Sequence, residues 1–154
     1  MESYPYPFTA IVGQEDMKRC ILLNLINPKI NGVLISGEKG SGKSLIARSI
    51  NNLLESKKVI NLPLNITEDS LVGSINLKKA VTSGKCEVEY GLLKEANKKI
   101  IYIDEVNLLS NQIKNILMEV NSSKENLIER EGISAKHESD FILIGSMNPE
   151  EGIL

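Results

Sequence analysis

The amino-acid sequence predicts an α/β fold in which helices sandwich a parallel β-sheet. Two short segments, Ile100–Ile103 and Phe141–Gly145, are almost uninterrupted apolar runs, which is typical of strands buried on both faces. Between them, residues 113–120 carry apolar side chains at helical spacing. Because such strands alternate with helices along the chain, a parallel sheet with crossover helices is expected.

The first part of the chain is predicted to form a helix, a strand, a second helix and a second strand. The first helix follows Gly13 and ends before Pro28. Gly32–Ser36 has the composition of a short buried strand, and Lys58–Leu62 that of a second strand. The residues predicted on the inner faces of the two helices are Met17, Cys20, Ile21 and Leu25, and then Ile46, Ile50, Leu53 and Leu54.

The second part is predicted to add three helices, a hairpin and the two apolar strands. Residues 67–90 contain helix-start signals interrupted by glycines, so we expect a short helix that carries an insertion. A further short helix is expected at residues 92–96, and Ser110 is the expected N-cap of the helix that follows the strand at 100–103. Leu127–Ser134 is typical of a hairpin with its turn near Gly132.

The composition indicates one ordinary globular domain over residues 1–154. Its net charge of −2 and scattered basic residues argue against a nucleic-acid surface. No apolar run approaches the ~20 residues that cross a bilayer, and the N-terminus lacks signal-peptide features, so a cytoplasmic location without membrane contact is expected. Cys20 and Cys86 are expected to be buried thiols, and His137, the single histidine, a solvated hairpin residue.

The segment Gly37–Ser44 matches the phosphate-binding loop pattern G-x-x-x-x-G-K-[ST], or Walker A motif. Glycines allow backbone N–H groups to turn towards a polyphosphate in conformations that side chains would obstruct. Lys43 can then reach the phosphates, and the Ser44 hydroxyl can ligate Mg²⁺. A glycine-rich turn that binds nothing is the alternative, but the flanking strand and helix are the setting that phosphate binding requires. The nucleotide-binding set is Gly37, Glu38, Lys39, Gly40, Ser41, Gly42, Lys43, Ser44 and Leu45.

Asp104 and Glu105 directly follow a predicted strand, in the position of a Walker B motif. Because the phosphate loop also leaves the carboxyl end of a strand, the two segments are expected to converge at one edge of the sheet. Asp104 is placed to hold Mg²⁺ together with Ser44, and Glu105 to orient the water that attacks the γ-phosphate. Alone, such a pair would be two solvated carboxylates at a helix start.

Asn148 follows the last predicted strand, so its amide is expected at the same edge of the sheet. There it could hydrogen-bond both the γ-phosphate and the attacking water, and so report whether the terminal phosphate is present. An Asn-Pro turn is the alternative explanation. The catalytic residues predicted from the sequence are therefore Lys43, Glu105 and Asn148.

These motifs, in this order, resemble the core of an AAA+ ATPase, and further segments resemble the ATPase subunit of magnesium chelatase. The segments are Tyr6–Glu15, Leu71–Ser74, Tyr90–Leu93, Asp104–Leu109, Glu129–Gly132 and Met147–Gly152. The resemblance implies that Ile11, Val12 and Gly13 lie near the adenine of ATP and that Asn148 is the sensor-1 residue. It also implies a helix-2 insert near residues 70–90 and a pre-sensor hairpin near 126–139.

The resemblance further implies a homo-oligomeric ring that hydrolyses ATP with Mg²⁺ to drive Mg²⁺ insertion into a tetrapyrrole, which a separate large subunit binds. In that family the chain continues beyond the position of Leu154 to an arginine finger, a sensor-2 arginine and a helical lid. Arg19, Arg48 and Arg130 match none of these, so we expect this chain alone to hydrolyse ATP weakly or not at all. The alternatives are a chaperone-like or DNA-processing AAA+ ATPase with another client, and a non-enzymatic, nucleotide-gated interaction module.

Overall fold

A computed structural model describes residues 6–53, 58–75, 87–130 and 133–151. The helices are α1 (Glu15–Ile26), α2 (Lys43–Ser49), α3 (Glu68–Val72), α4 (Leu92–Glu95) and α5 (Asn111–Ser123). The strands are β1 (Gly32–Ser36), β2 (Val59–Asn61), β3 (Gly73–Ile75), β4 (Val88–Tyr90), β5 (Ile100–Ile103), β6 (Glu125–Arg130), β7 (Ile133–Glu138) and β8 (Ile142–Met147). Within these described ranges, no helix is long and apolar enough to span a bilayer.

Four of the strands form a parallel sheet in the order β1-β8-β5-β2. In the register of this sheet, Leu143 of β8 lies between Gly32 of β1 and Ile101 of β5. Ile100 at the start of β5 pairs with Val59 of β2. The parallel sheet predicted from the apolar runs is therefore confirmed, and its strands end together at one edge.

Side chains on the two faces of the sheet pack into two separate hydrophobic clusters. On one face, Ile100 and Tyr102 join residues of α1 and α2, such as Ile21 and Ile46. On the other face, Ile101 joins residues of α3, α4 and α5. Because side chains alternate along a strand, the face that carries Tyr102 also carries Asp104, which places this carboxylate on the same side of the sheet as α2.

The predicted insertion and hairpin are both built on short antiparallel strand pairs. α3 is the short helix expected after Thr67, and its end leads directly into β3, which pairs with β4. This strand pair could not be predicted from the sequence, because each strand is only three residues long. The predicted hairpin is present as β6 and β7, whereas its expected turn at Gly132 lies outside the described residues, as do residues 76–86.

The expectations for Cys20 and His137 are wrong. Cys20 is exposed, because the inner stripe of α1 runs through Ile21 and Asn24 and turns the cysteine towards solvent. His137 is only 6% exposed, because it lies in β7 opposite Asn126 of β6 and its ring packs edge-on against Tyr90. The side-chain amide of Asn126 contacts His137 Nε2 at 3.0 Å and donates to the Val72 carbonyl at 2.9 Å, which ties the hairpin to α3. Cys86 and Leu54 lie outside the described residues.

The amino-terminal edge of the sheet, opposite the carboxyl ends of the strands, carries a cluster of ion pairs. Lys98 contacts Glu138 at 2.5 Å and Asp140 at 2.9 Å, and Lys124 contacts Asp140 at 3.3 Å. The hydrogen bond from Lys98 holds the pKa of Asp140 below its ordinary value; partial burial opposes this shift and Lys124 reinforces it. The cluster thus joins the segments that precede β5 and β8.

Candidate functional site

The phosphate-binding loop connects β1 to α2, as the sequence predicts. Gly40 and Gly42 both have φ of +85°, a left-handed conformation that side-chain-bearing residues rarely adopt. Gly37 does not need this freedom, and a Cβ built on it would lie 3.4 Å from the Ser41 hydroxyl, an ordinary contact. The Gly37 N–H donates to the Met147 carbonyl at 3.3 Å, which ties the start of the loop to the end of β8.

The side chain of Lys43 is folded onto the loop. Its ammonium lies 2.6 Å from each of the Gly37 and Glu38 carbonyl oxygens and 3.3 Å from the Ser41 hydroxyl. These contacts account for its burial, since a buried lysine requires hydrogen-bond partners. The loop therefore holds one positive charge at its centre.

Ser44 and Asp104 meet although they are 60 residues apart in sequence. The Ser44 hydroxyl lies 3.1 Å from both carboxylate oxygens of Asp104. Ser44 is in the first turn of α2, and Asp104 directly follows β5 on the face that α2 covers. The convergence expected from the positions of the two motifs is thus present.

Two further hydroxyl groups, which the sequence analysis did not identify, contact the Asp104 carboxylate. Ser146 Oγ donates to Oδ1 at 2.6 Å, and the Tyr102 hydroxyl lies 3.0 Å from the same oxygen. Each residue is only 1% exposed. One available signal was Tyr102 itself, because a tyrosine inside an otherwise apolar strand needs a partner for its hydroxyl group.

The carboxyl group of Asp104 is held in its ionised form. Partial burial by itself raises its pKa, but hydrogen bonds from Ser146, Tyr102 and Ser44, together with the positive charge of Arg48, outweigh this effect. The pKa of Asp104 therefore lies below its ordinary value. At neutral pH the site carries a carboxylate beside the Ser44 hydroxyl.

Glu105 and Asn148 lie at the same edge of the sheet. Glu105 has φ of +54°, and its backbone N–H donates to Ser146 Oγ at 3.4 Å. The side chain of Asn148 is buried, and its Oδ1 accepts a hydrogen bond from the Glu150 N–H at 3.2 Å. The strand that precedes Asn148 extends two residues further than the sequence suggested, because β8 continues to pair with β1 as far as Met147.

One cavity of about 350 Å³ joins the loop to the other predicted site residues. Its lining contains Lys39, Gly40, Gly42, Lys43, Ser44, Leu45, Asp104, Glu105, Ser146, Met147 and Asn148. The other loop residues, Gly37, Glu38 and Ser41, supply the oxygen atoms around Lys43. The cavity thus brings the three sequence motifs into one site.

The three residues predicted near the adenine do not line this cavity. Val12 is 95% exposed, Gly13 is exposed, and the Ile11 carbonyl accepts a hydrogen bond from Lys18. Their segment reaches the loop through Gln14, whose side-chain amide donates to the Ser41 carbonyl at 3.1 Å. The adenine contact therefore stays a prediction.

The donor atoms at this site suit Mg²⁺, which prefers oxygen ligands and is often held by one or two carboxylates plus substrate phosphates. Ser44 and Asp104 present a hydroxyl and an ionised carboxylate next to each other. The described part of the chain holds no cluster of three or more histidine, cysteine or carboxylate side chains that could bind a metal ion by itself. Phosphate oxygens and water are the further ligands that Mg²⁺ usually takes in nucleotide sites.

The chain is similar to AAA domains and to subunits of magnesium chelatase. A model of the AAA domain, dynein-related subfamily, matches residues 32–154. The "Magnesium-chelatase subunit ChlI homolog" of Methanocaldococcus jannaschii is 44% identical, over 98% of this chain and 51% of its own length. The "Magnesium-chelatase 38 kDa subunit" of Cereibacter sphaeroides is 41% identical, over 97% and 54%. The chain thus spans about half the length of these curated relatives.

A solved structure shows the same architecture. It is a cryo-EM-based structure of the complex between subunits BchI and BchD of magnesium chelatase. The matched chain superposes with a TM-score of 0.83 at 39% identity, over 97% of this chain and 57% of its own length. Together with the family match, this confirms the predicted α/β core with a phosphate-binding loop.

Proposed function

Since the chain belongs to the AAA domain family, in its dynein-related subfamily, we propose that it binds and hydrolyses ATP with Mg²⁺. The observation that carries this proposal is the contact between Ser44 and Asp104, at 3.1 Å to each carboxylate oxygen. It unites a phosphate-loop hydroxyl with an ionised carboxylate in a cavity that Glu105 and Asn148 also line. Phosphoryl transfer requires mainly this kind of positioning and charge stabilisation.

Each residue has a distinct role in the proposed reaction. Lys43 exchanges its loop carbonyl partners for phosphate oxygens, and the left-handed glycines aim backbone N–H groups at the same phosphates. Ser44 and Asp104 would hold Mg²⁺, which when bound neutralises charge on the phosphates. Glu105 orients the attacking water, and the Asn148 amide hydrogen-bonds the terminal phosphate.

For the whole protein, we propose the role that the names of its relatives describe. One of those relatives is named as a magnesium-chelatase subunit and the other as a homolog of such a subunit, and the matched structure is a complex of two different magnesium-chelatase subunits. By analogy, this chain would act within a homo-oligomeric ring beside a larger subunit that binds the tetrapyrrole. We also propose that the protein is located in the cytoplasm.

Nucleotide binding is tested by isothermal calorimetry with ADP and Mg²⁺. Replacement of Lys43 by alanine removes the charge at the centre of the loop, so we expect binding to be lost. Lys29→Ala is the matched control, because Lys29 is exposed and lies outside the cavity. Full affinity in the Lys43→Ala variant would contradict the assignment of the loop.

Hydrolysis is tested by single-turnover assays with radiolabelled ATP on the full-length protein, because the chain alone is expected to hydrolyse ATP weakly or not at all. Glu105→Gln keeps the size of the side chain but weakens its ability to polarise water, so the rate should fall by about 100-fold or more with ADP affinity unchanged. Glu119→Gln on the exposed face of α5 is the control. Equal rates in Glu105→Gln and the wild type would favour the nucleotide-gated interaction module.

The client is tested with the full-length protein in a magnesium-chelatase assay from which the ATPase subunit has been omitted. Restored metal insertion into a porphyrin would support the chelatase role. A full-length protein that hydrolyses ATP but gives no metal insertion with the partner subunits of its own source would point to another client.

A further inference from the structure

We propose that Tyr102 and Ser146 are positioning residues that orient Asp104 for Mg²⁺ through a relay of hydroxyl groups. The relay comprises the Tyr102 hydroxyl, Ser146 Oγ and Asp104 Oδ1, each in contact with the other two. This inference rests on the proposed function, because it concerns how the metal-binding carboxylate of that site is held.

The three oxygen atoms of the relay are in mutual contact. The Tyr102 hydroxyl lies 3.0 Å from Ser146 Oγ and 3.0 Å from Asp104 Oδ1, and Ser146 Oγ lies 2.6 Å from the same Oδ1. Tyr102 and Ser146 are each 1% exposed, so their hydroxyl groups need hydrogen-bond partners, and in this structure they find them within the protein.

Two hydroxyl groups carry two hydrogens, so at most two of the three contacts can be full hydrogen bonds at one time. The shortest contact has the length of a charge-assisted O–H···O⁻ bond, which makes Ser146 the donor to Asp104. The Tyr102 hydroxyl has two acceptors at 3.0 Å, the ionised Asp104 Oδ1 and Ser146 Oγ. Ser146 Oγ also accepts a hydrogen bond from the Glu105 N–H at 3.4 Å.

This arrangement fixes the plane of the Asp104 carboxylate. Oδ1 contacts the buried hydroxyl pair as well as Ser44, whereas Oδ2 contacts Ser44, the other proposed metal ligand. The same Ser146 oxygen holds the backbone of Glu105 in its left-handed conformation. One serine hydroxyl thus positions the metal carboxylate and the main chain of the proposed catalytic glutamate.

The experiment measures the Mg²⁺ concentration that gives half-maximal enhancement of ADP affinity, alongside ADP affinity in EDTA. Ser146→Ala removes the donor to Oδ1, so we expect the half-maximal Mg²⁺ concentration to rise about tenfold while metal-free ADP affinity is unchanged. Tyr102→Phe should raise the half-maximal Mg²⁺ concentration by a smaller factor, because Ser146 still donates a hydrogen bond to Asp104 Oδ1. Ser146→Thr retains a hydroxyl and should restore the wild-type requirement.

Two matched controls separate positioning from general loss of structure. Ser139→Ala removes a fully buried serine hydroxyl that donates to the Leu93 carbonyl away from the site, and Tyr90→Phe removes a half-exposed tyrosine hydroxyl. Both should keep the wild-type Mg²⁺ requirement. A fall in metal-free ADP affinity in Ser146→Ala, equal to the fall with metal, would show a merely structural role and overturn the inference.

The outcomes also separate this inference from the proposed function. If the wild-type chain binds no nucleotide, the proposed function fails and the inference fails with it. If the wild type binds nucleotide with Mg²⁺, and Ser146→Ala and Tyr102→Phe keep the same Mg²⁺ requirement, only the relay is overturned.

Discussion

Replacing Gly42 by alanine tests the argument that the phosphate loop needs glycine for its backbone conformation. Gly42 has φ of +85°, and a Cβ built there meets no heavy atom within 4 Å. The added methyl group therefore collides with no other atom, and the free-energy cost of the substitution comes from holding a side-chain-bearing residue in the left-handed conformation. For a side-chain-bearing residue this cost is about 1–2 kcal/mol, which corresponds to roughly a 5- to 30-fold change in an equilibrium constant.

The cost can appear in either of two measurements, so both are needed. If the folded chain bears the strain, urea unfolding shows a free energy of unfolding lower by about 1–2 kcal/mol. If the loop relaxes instead, stability is kept and ADP affinity in calorimetry falls by the equivalent factor. We expect the two losses together to reach about 1 kcal/mol or more.

Gly37→Ala is the matched control in the same loop. Gly37 lacks a positive φ, and the nearest contact of the added Cβ is an ordinary 3.4 Å, so its stability should change by less than about 0.5 kcal/mol. Equal unfolding free energies and equal affinities in Gly42→Ala and the wild type would refute the reasoning. Equal destabilisation by both variants would show that the loop is sensitive to any added methyl group.

Three further predictions concern stability, each measured by urea unfolding. Because Lys98 holds the pKa of Asp140 low, the unfolded state binds more protons than the folded state near and below pH 4, and the free energy of unfolding should fall as the solution is acidified. Asp140→Asn should flatten this pH dependence. An unchanged slope in this variant would contradict the contribution assigned to Asp140. Leu117→Ala, in the core, should lower the free energy of unfolding by about 2–5 kcal/mol. Met118→Ala, at a position 62% exposed, should change it by less than about 0.5 kcal/mol. Similar losses in the two variants would be inconsistent with burial of Leu117 and exposure of Met118. Asn126→Ala leaves buried polar partners unsatisfied, so a loss of about 1–3 kcal/mol is expected, and a neutral effect would show that the buried amide does not link the hairpin to α3.

Local patterns in the sequence were sufficient for most of the fold and for the main site residues. The uninterrupted apolar run at Ile100–Ile103 predicted a strand covered on both faces, and burial of all four residues confirms it. Ser110 was predicted as the N-cap of α5, and its hydroxyl accepts from the Ile113 N–H as expected. Such features depend on residues close together in the chain, so the sequence alone predicts them.

Features that depend on contacts between distant segments could not be predicted in the same way. His137 was expected in solvent because it lies on a polar hairpin, but its burial depends on Tyr90 and Asn126 from other elements. The sequence predicted that the last strand ends before Ser146, but β8 pairs with β1 as far as Met147, so Ser146 lies within the strand. Its contact with Asp104 then follows from the register between β8 and β5.

The phosphate-binding loop and the strand that ends in two carboxylates are continuous motifs, so they can be identified without the structure. The parallel sheet is predictable in the same way, since periodicity and apolar runs are local properties. The contact of Asp104 with Ser44, and its contacts with Tyr102 and Ser146, became visible only in the folded chain. Strand order and register set which side chains meet across the sheet, and both depend on the packing of the whole chain.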